Sequence, residues 1–367
     1  MEETICHVGN TLNFTDEGEA MDQLYDKPSS VWVVYIMPIV LSIGIVSNGT
    51  FLVVVFRIRC MWTKTNAYLS NLAISDIIFL VFAVLDKIRR HASSPVSYDQ
   101  SHMGPVGCSL WLLIVDFSYF ASLSLVSLVS LEKYYAICTP VEHRLLQNGW
   151  KRTIRFITLA WVMSLALAIG LIPAHSVFII LCTFWPDIDK FAHLPSQIAY
   201  CGPVSSLAAH IGNGIQTLPF FVGLIFNIFL YCKIIKRLHN RVLCNEHRQN
   251  PNMIINNRIY VRNQVAKMLV INGVIFFICL APFEMLSVCK MISGLTGKHL
   301  VSHATFDALL QASRTMSYIN AALNPFVYCA CNSRYRKAFK SCLTMVKRKI
   351  HPVEGDHVDN ESQMIQC

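Results

Sequence analysis

The sequence predicts an all-α membrane protein: a seven-transmembrane helix bundle with a short amphipathic eighth helix. Three observations predict it. Apolar residues make up 54% of the 367 and charged residues only 14%, against about 25% charged in soluble domains. The apolar residues gather in seven stretches, 31–56, 66–88, 106–138, 154–180, 205–235, 265–292 and 304–330. Each meets the roughly 20 residues a bilayer-crossing helix needs. Basic residues, finally, are concentrated in the connections on one side of the bundle. Nothing in hydrocarbon satisfies free backbone groups, so the stretches must be helical.

The tail, 1–30, is polar and carries Glu2, Glu3, Asp16, Glu17, Glu19, Asp22 and Asp26. A basic stretch leading into a short apolar core is absent from it, so no cleavable signal peptide is expected and the first span directs insertion. Asn13-Phe14-Thr15 is a glycosylation sequon, usable only if Asn13 lies outside. The bundle is assigned to 31–332. Its loops after spans 1, 3 and 5 and the segment after span 7 carry the basic residues, for example Arg57, Arg59, Lys151, Arg152, Lys233 and Arg237. The positive-inside rule makes that side cytoplasmic and the amino terminus extracellular, as expected of a multi-pass protein of the plasma membrane. The net charge of +9 is thus topology, not a nucleic-acid footprint.

Six of the 14 cysteines lie within spans, where cysteine is usually a small apolar packer. Cys108, opening span 3, would pair outside with Cys201, just before span 5, or with Cys182; Cys201 lies nearer span 5. In the second outer loop, 176–203, Val177–Ile180 and Gln197–Tyr200 flank Pro186-Asp187-Ile188-Asp189, which reads as two strands around a turn. The same apolar run would also extend span 4. After span 7, Ser333 is the expected cap of a helix over 333–346, with Tyr335, Phe339, Cys342 and Leu343 on one face and basic residues on the other. Such a helix lies on the inner leaflet, in contact with lipid. Cys342 is a palmitoylation candidate, and an unmodified packed thiol is the alternative. A cytoplasmic tail, 347–367, follows.

Polar residues at membrane depth are functional hypotheses. Asp76 lies mid-span 2, Asn48 in span 1, Ser122 in span 3, and Asn320 and Asn324 in span 7. Their oxygens suit a hard cation such as a structural sodium ion; a protonated Asp76 in a hydrogen-bond network is the alternative. No other cofactor is expected. Pro219, Pro282 and Pro325 interrupt spans 5, 6 and 7, each removing a backbone hydrogen bond and offering a hinge.

Taken together, Asn48, Leu72-Ala73-Ile74-Ser75-Asp76, Cys108, Glu132-Lys133-Tyr134, Trp161, Pro219, Phe276 through Pro282 and Asn324-Pro325-Phe326-Val327-Tyr328 resemble the rhodopsin-like family of G-protein-coupled receptors. The resemblance covers about 31–345. It implies no bond-making chemistry, and that Glu132, Lys133, Tyr134, Phe276, Pro282, Pro325 and Tyr328 take part in coupling to a heterotrimeric G protein. The Met61–Ala73 run is similar to peptide receptors of the thyrotropin-releasing-hormone, ghrelin, neuromedin U and neurotensin group.

Several positions depart from the family's pattern. Lys133 stands where arginine is usual and keeps the charge without the planar fork of donors. Leu280 replaces a tryptophan, Asn227 a tyrosine, and Arg262 an acid that would face Lys133. A loosely closed resting state is the expectation; weak coupling is the rival. Tyr318 replaces the lysine that holds retinal, and Val115 the aspartate of amine receptors. The expected pocket combines Asp86 and Lys87 atop span 2, Asp116 and Tyr119 in span 3, Gln216, Phe283 and Glu284, and Arg314 and Tyr318 in span 7. In the thyrotropin-releasing-hormone receptors an arginine at the position of Arg314 is used for ligand binding. Charges of both signs suit a peptide, with Arg314 on a carboxylate or carbonyl and Glu284 or Asp86 on a basic group; an internal Glu284–Arg314 bridge is the alternative. An orphan modulator of a partner receptor and an ion-translocating protein using Asp76 are the competing classes. The histidines and acids show no catalytic spacing. The few phosphate acceptors of the tail (Ser341, Thr344, Ser362) leave arrestin recruitment open.

Overall fold

The computed structural model describes residues 11–139, 149–246, 253–297 and 303–350. The remaining residues of the tails and loops, and the side chain of Arg262, lie outside the described residues. A strand, β1 (Thr11–Asn13), and two short helices, α1 (Glu17–Asp22) and α2 (Lys27–Val31), come first. Aspartate starts both helices: Asp16 accepts from Glu19 N–H at 3.2 Å and Asp26 from Ser29 N–H at 2.8 Å, satisfying amide groups that a first turn leaves free. One π-helical turn, Trp32–Ile36, continues into the bundle.

The seven spans are α3 (Met37–Arg57), α4 (Lys64–Ser93), α5 (Gly104–Cys138), α6 (Gly149–Leu171), α7 (Ser206–Glu246), α8 (Met253–Thr296) and α9 (His303–Cys331). Among the described residues, six helical segments, those of α3 to α8, are long and apolar enough to cross a membrane by length and composition. The apolar sequence of α9 is diluted by Ser313, Thr315, Ser317, Asn320 and Asn324, which are buried in the bundle rather than facing its surroundings. The core runs through Phe51, Tyr68, Phe120, Leu125, Phe276 and Tyr328. Large apolar side chains such as Phe56, Leu218, Ile225 and Ile278 point outward, as a lipid-facing surface requires. Pro219, Pro282 and Pro325 each lie inside a continuous helix.

Span 4 ends at Leu171, short of 180, because Pro173 forms a 3-10 turn, Ile172–Ala174. The apolar run after it is strand β2 (Val177–Phe184), antiparallel to β3 (Gln197–Gly202), with Cys182 opposite Gln197. The tail contributes the third strand: β1 runs parallel to β2, Thr11 opposite Cys182. Asn13 is exposed in β1. Cys108 is bonded to Cys201 across a Cα–Cα distance of 5.4 Å. Cys182, the alternative partner, is engaged in a separate disulfide.

The surface helix α10 spans Ser333–Ile350, and its cap is Asn332 rather than Ser333: the Asn332 carboxamide oxygen accepts from Arg334 N–H at 2.9 Å. Tyr335, Ala338 and Cys342 are buried while Arg336, Lys337 and Lys340 are exposed. Tyr335 donates to Asn66 Oδ1 at 2.5 Å and Arg334 to the Cys60 carbonyl, so the helix is fastened to the first turn of α4 and to the loop before it.

Candidate functional site

A cavity of about 180 Å³ opens between α4, α5, α7, α8 and α9 at the end of the bundle that carries the hairpin. Helical spacing explains who lines it. Phe79, Ala83 and Lys87 recur every fourth residue on α4, and Trp111, Val115 and Tyr119 do so on α5, so each set shares a face. Arg314 and Tyr318 repeat the pattern on α9. Eight of the nine expected residues line this cavity: Asp86, Lys87, Asp116, Tyr119, Gln216, Phe283, Arg314 and Tyr318. Trp111 and Phe79, not among the expected residues, line it as well, and the same four-residue spacing marks them.

Glu284 is the ninth and stands elsewhere. It is fully buried and accepts a hydrogen bond from the Tyr119 hydroxyl at 2.5 Å, so it orients Tyr119 from behind the cavity wall. The other acids also have partners. Asp86 is met by Lys87 Nζ at 2.9 Å, Arg90 at 3.6 Å and His102 Nε2 at 3.3 Å. Asp116 Oδ2 lies 3.2 Å from His175 Nε2, while the other ring nitrogen faces the Cys108 carbonyl at 3.2 Å. His175 thus links the disulfide-bearing start of α5 to the cavity. Arg314, in contrast, makes no ion pair or hydrogen bond among the described residues, and no Glu284–Arg314 bridge forms.

Beneath the cavity lies the polar group read from the spans. Ser122 donates to Asp76 Oδ1 at 2.9 Å and Asn324 to Oδ2 at 2.6 Å, and Ser75 joins Ser122 at 2.9 Å. Asn48 donates instead to the carbonyls of Gly44 and Ala321, at 3.0 and 2.9 Å, closing α3 onto α9. Asn320 is buried on the same helix as Asn324 without a hydrogen bond to Asp76.

At the opposite end, Lys133 donates to Thr65 Oγ1 at 2.5 Å. Its neighbour Glu132 faces Arg152 at 3.5 Å, and Arg152 lies over the rings of Tyr135 and Phe156 at 5.2 and 5.4 Å. Tyr134 packs edge-on against Tyr135 at 5.7 Å. Tyr328 is buried between Phe51 and Tyr335, at 5.3 and 5.8 Å. Phe276 and Leu280 are core residues of α8. Asn227 is fully buried and donates to Ser127 at 2.8 Å. One turn further along α7, Tyr231 meets Ser130 at 2.9 Å, a contact that the pattern at position 227 does not announce.

With this geometry the comparisons agree. Residues 47–328 match the profile described as "7 transmembrane receptor (rhodopsin family)". Neuromedin-U receptor 2 of Rattus norvegicus is 24% identical over 323 residues, 86% of this chain and 75% of the relative. Galanin receptor 2a of Danio rerio is 25% identical over 338 residues, 89% of this chain and 84% of the relative. The thyrotropin-releasing hormone receptor of Bos taurus is 25% identical over 347 residues, 88% of this chain and 80% of the relative.

Proposed function

The chain belongs to the rhodopsin family of seven-transmembrane receptors, and from that premise we propose a plasma-membrane receptor, amino terminus outside, whose outer cavity takes a neuropeptide and whose inner face activates a heterotrimeric G protein. It is a multi-pass membrane protein of a receptor family, not an enzyme. The observation that carries the peptide reading is the convergence of aromatic walls and charges of both signs in one cavity under a strand hairpin. The similarity to receptors named for neuromedin U, galanin and thyrotropin-releasing hormone supports it. Binding there would favour one arrangement of the bundle over another, and only the difference in affinity for the two arrangements moves the inner face.

Arg314 lines the cavity without an ion pair or hydrogen bond among the described residues, so it is the group of this wall most available to a carboxylate or carbonyl of the ligand. Asp76, Ser122 and Asn324 supply oxygens suited to sodium, and the hydrogen bonds that Ser122 and Asn324 donate keep the Asp76 carboxylate between them. Should arrestin bind, the few phosphate acceptors of the tail limit how it is recruited; α10, basic on one face and apolar on the other, supports contact with anionic lipid.

The test is a neuropeptide screen on cells expressing the full chain, reading calcium and cyclic AMP. One or more peptides should give a saturable response, and Arg314→Glu should abolish it at unchanged surface expression. Unchanged potency would remove Arg314 from the ligand set. Substrate flux in reconstituted vesicles, without guanine-nucleotide exchange, would replace the receptor reading with a transporter.

A further inference from the structure

The inner halves of α5, α7 and α8 meet along a seam with a regular build. Gly223, Asn227 and Tyr231 follow each other at four-residue intervals on α7, and their opposite numbers on α5 are Leu123, Ser127 and Ser130. The first contact is van der Waals, the second a hydrogen bond of 2.8 Å, the third one of 2.9 Å. Tyr231 differs from the others because it also reaches α8. Its ring is 6% exposed, and a Cβ built on Gly273 would lie 1.7 Å from its hydroxyl oxygen. No side chain at 273 is compatible with the phenol in that place. Glycine weakens the middle of a helix; what it provides here is a notch. Beyond the phenol, Ile137, Ile234 and Ala266 close the same three-helix seam, with Lys133 one turn from Ser130 on α5.

We infer that Tyr231 is a positioning residue for coupling: its phenol, housed by Gly273 and tied to Ser130, pins the inner half of α8 in the resting position. This rests on the receptor reading above for what release of α8 achieves. For a protein partner to enter the inner face, packed helices must part, and such seams switch between discrete arrangements rather than stretch. While the phenol fills the notch, α8 stays at glycine distance from α7. Once it leaves, neither the packing nor the hydrogen bond to Ser130 survives. The buried Tyr231 thus joins three helices with one side chain, where Asn227 joins only two.

The experiment compares the full-length chain with Gly273→Ala, Tyr231→Ala, both together, and Tyr231→Phe, all in lipid nanodiscs. Amide hydrogen exchange over residues 263–276 reads the position of α8, and agonist-free guanine-nucleotide loading of added G proteins reads coupling. Gly273→Ala and Tyr231→Ala should each speed exchange by about 5- to 30-fold, as loss of a single well-packed junction does. The double variant should be no faster than Tyr231→Ala alone, because Gly273 acts only through the phenol. Tyr231→Phe, which keeps the ring and loses the tether, should give a smaller rise. Unchanged exchange in Gly273→Ala overturns the pin, as does full additivity in the double variant. If Gly273→Ala does not reach the membrane, Tyr231→Phe decides, and identity with the parent overturns it. Faster exchange with no added nucleotide loading upholds the pin and counts against the coupling reading instead.

Discussion

Adjacent charges in a helix do not face each other, and Glu132 and Lys133 turn to different neighbours. Glu132 goes to Arg152 on α6 and Lys133 to Thr65 on α4. An ammonium is a compact point charge without arginine's fork, which lets Lys133 settle on a single hydroxyl. The inner face is therefore fastened sideways, from α5 to α4 and α6. Glu132→Gln and Arg152→Gln should each raise agonist-free nucleotide exchange, and the swapped pair, Glu132→Arg with Arg152→Glu, should bring it back toward the parent. A swap no better than the single changes would show that the ion pair plays no part. The sequence announced Lys133 as a departure from its family, but its partner, Thr65, is 68 residues away and emerges only when the helices pack.

Among the elements, the outer hairpin depends on one carboxylate in the loop before α5. Asp99 accepts from Ser101 N–H at 2.9 Å, Ser101 Oγ at 2.5 Å and Ala199 N–H at 3.1 Å. Burial pushes its carboxyl up, yet hydrogen bonds from Ser101 and the Ala199 amide outweigh that and hold it below the usual range. A depressed folded value means the contribution is complete above the unfolded carboxylate's value of about 4 and is lost as pH falls through the folded one. Brief proteolysis with an acid-active protease should nick the 185–196 turn increasingly below about pH 4, and Asp99→Asn should be nicked at every pH. Equal resistance of parent and variant would exclude this role. Helices and hairpin were legible because hydropathy and turn residues mark them over many positions. β1, three residues long, carries too little pattern to be seen, and the end of span 4 was misplaced because 177–180 is equally apolar as helix or strand until Pro173 is weighed.

For the whole molecule, the bundle and its outer cap are joined by the Cys108–Cys201 bond across 93 residues of chain. Removing a cross-link of that reach costs about 2–4 kcal/mol, so Cys201→Ser should lower the thermal stability of the solubilised protein and weaken peptide response more than surface expression. An unaltered dose–response curve would uncouple the cap from the cavity. The lining of the candidate cavity was largely legible: charge and aromaticity at helix tops led to eight residues that share it. Glu284 escaped because residues 283 and 284 differ by about 100° around the helix, which sends Phe283 to the cavity and Glu284 behind it.

The tail is woven into that cap rather than hanging from it. Phe14 stacks on Trp185 at 5.0 Å, Phe14 N–H donates to the Phe184 carbonyl at 2.9 Å and Lys190 meets Glu17 at 3.2 Å. A form of the protein shortened past Asn13 would lose one of the three strands of its roof. Such a form would differ from the full chain in how long a guest stays, while the kind of guest admitted, chosen by the walls below, would be the same.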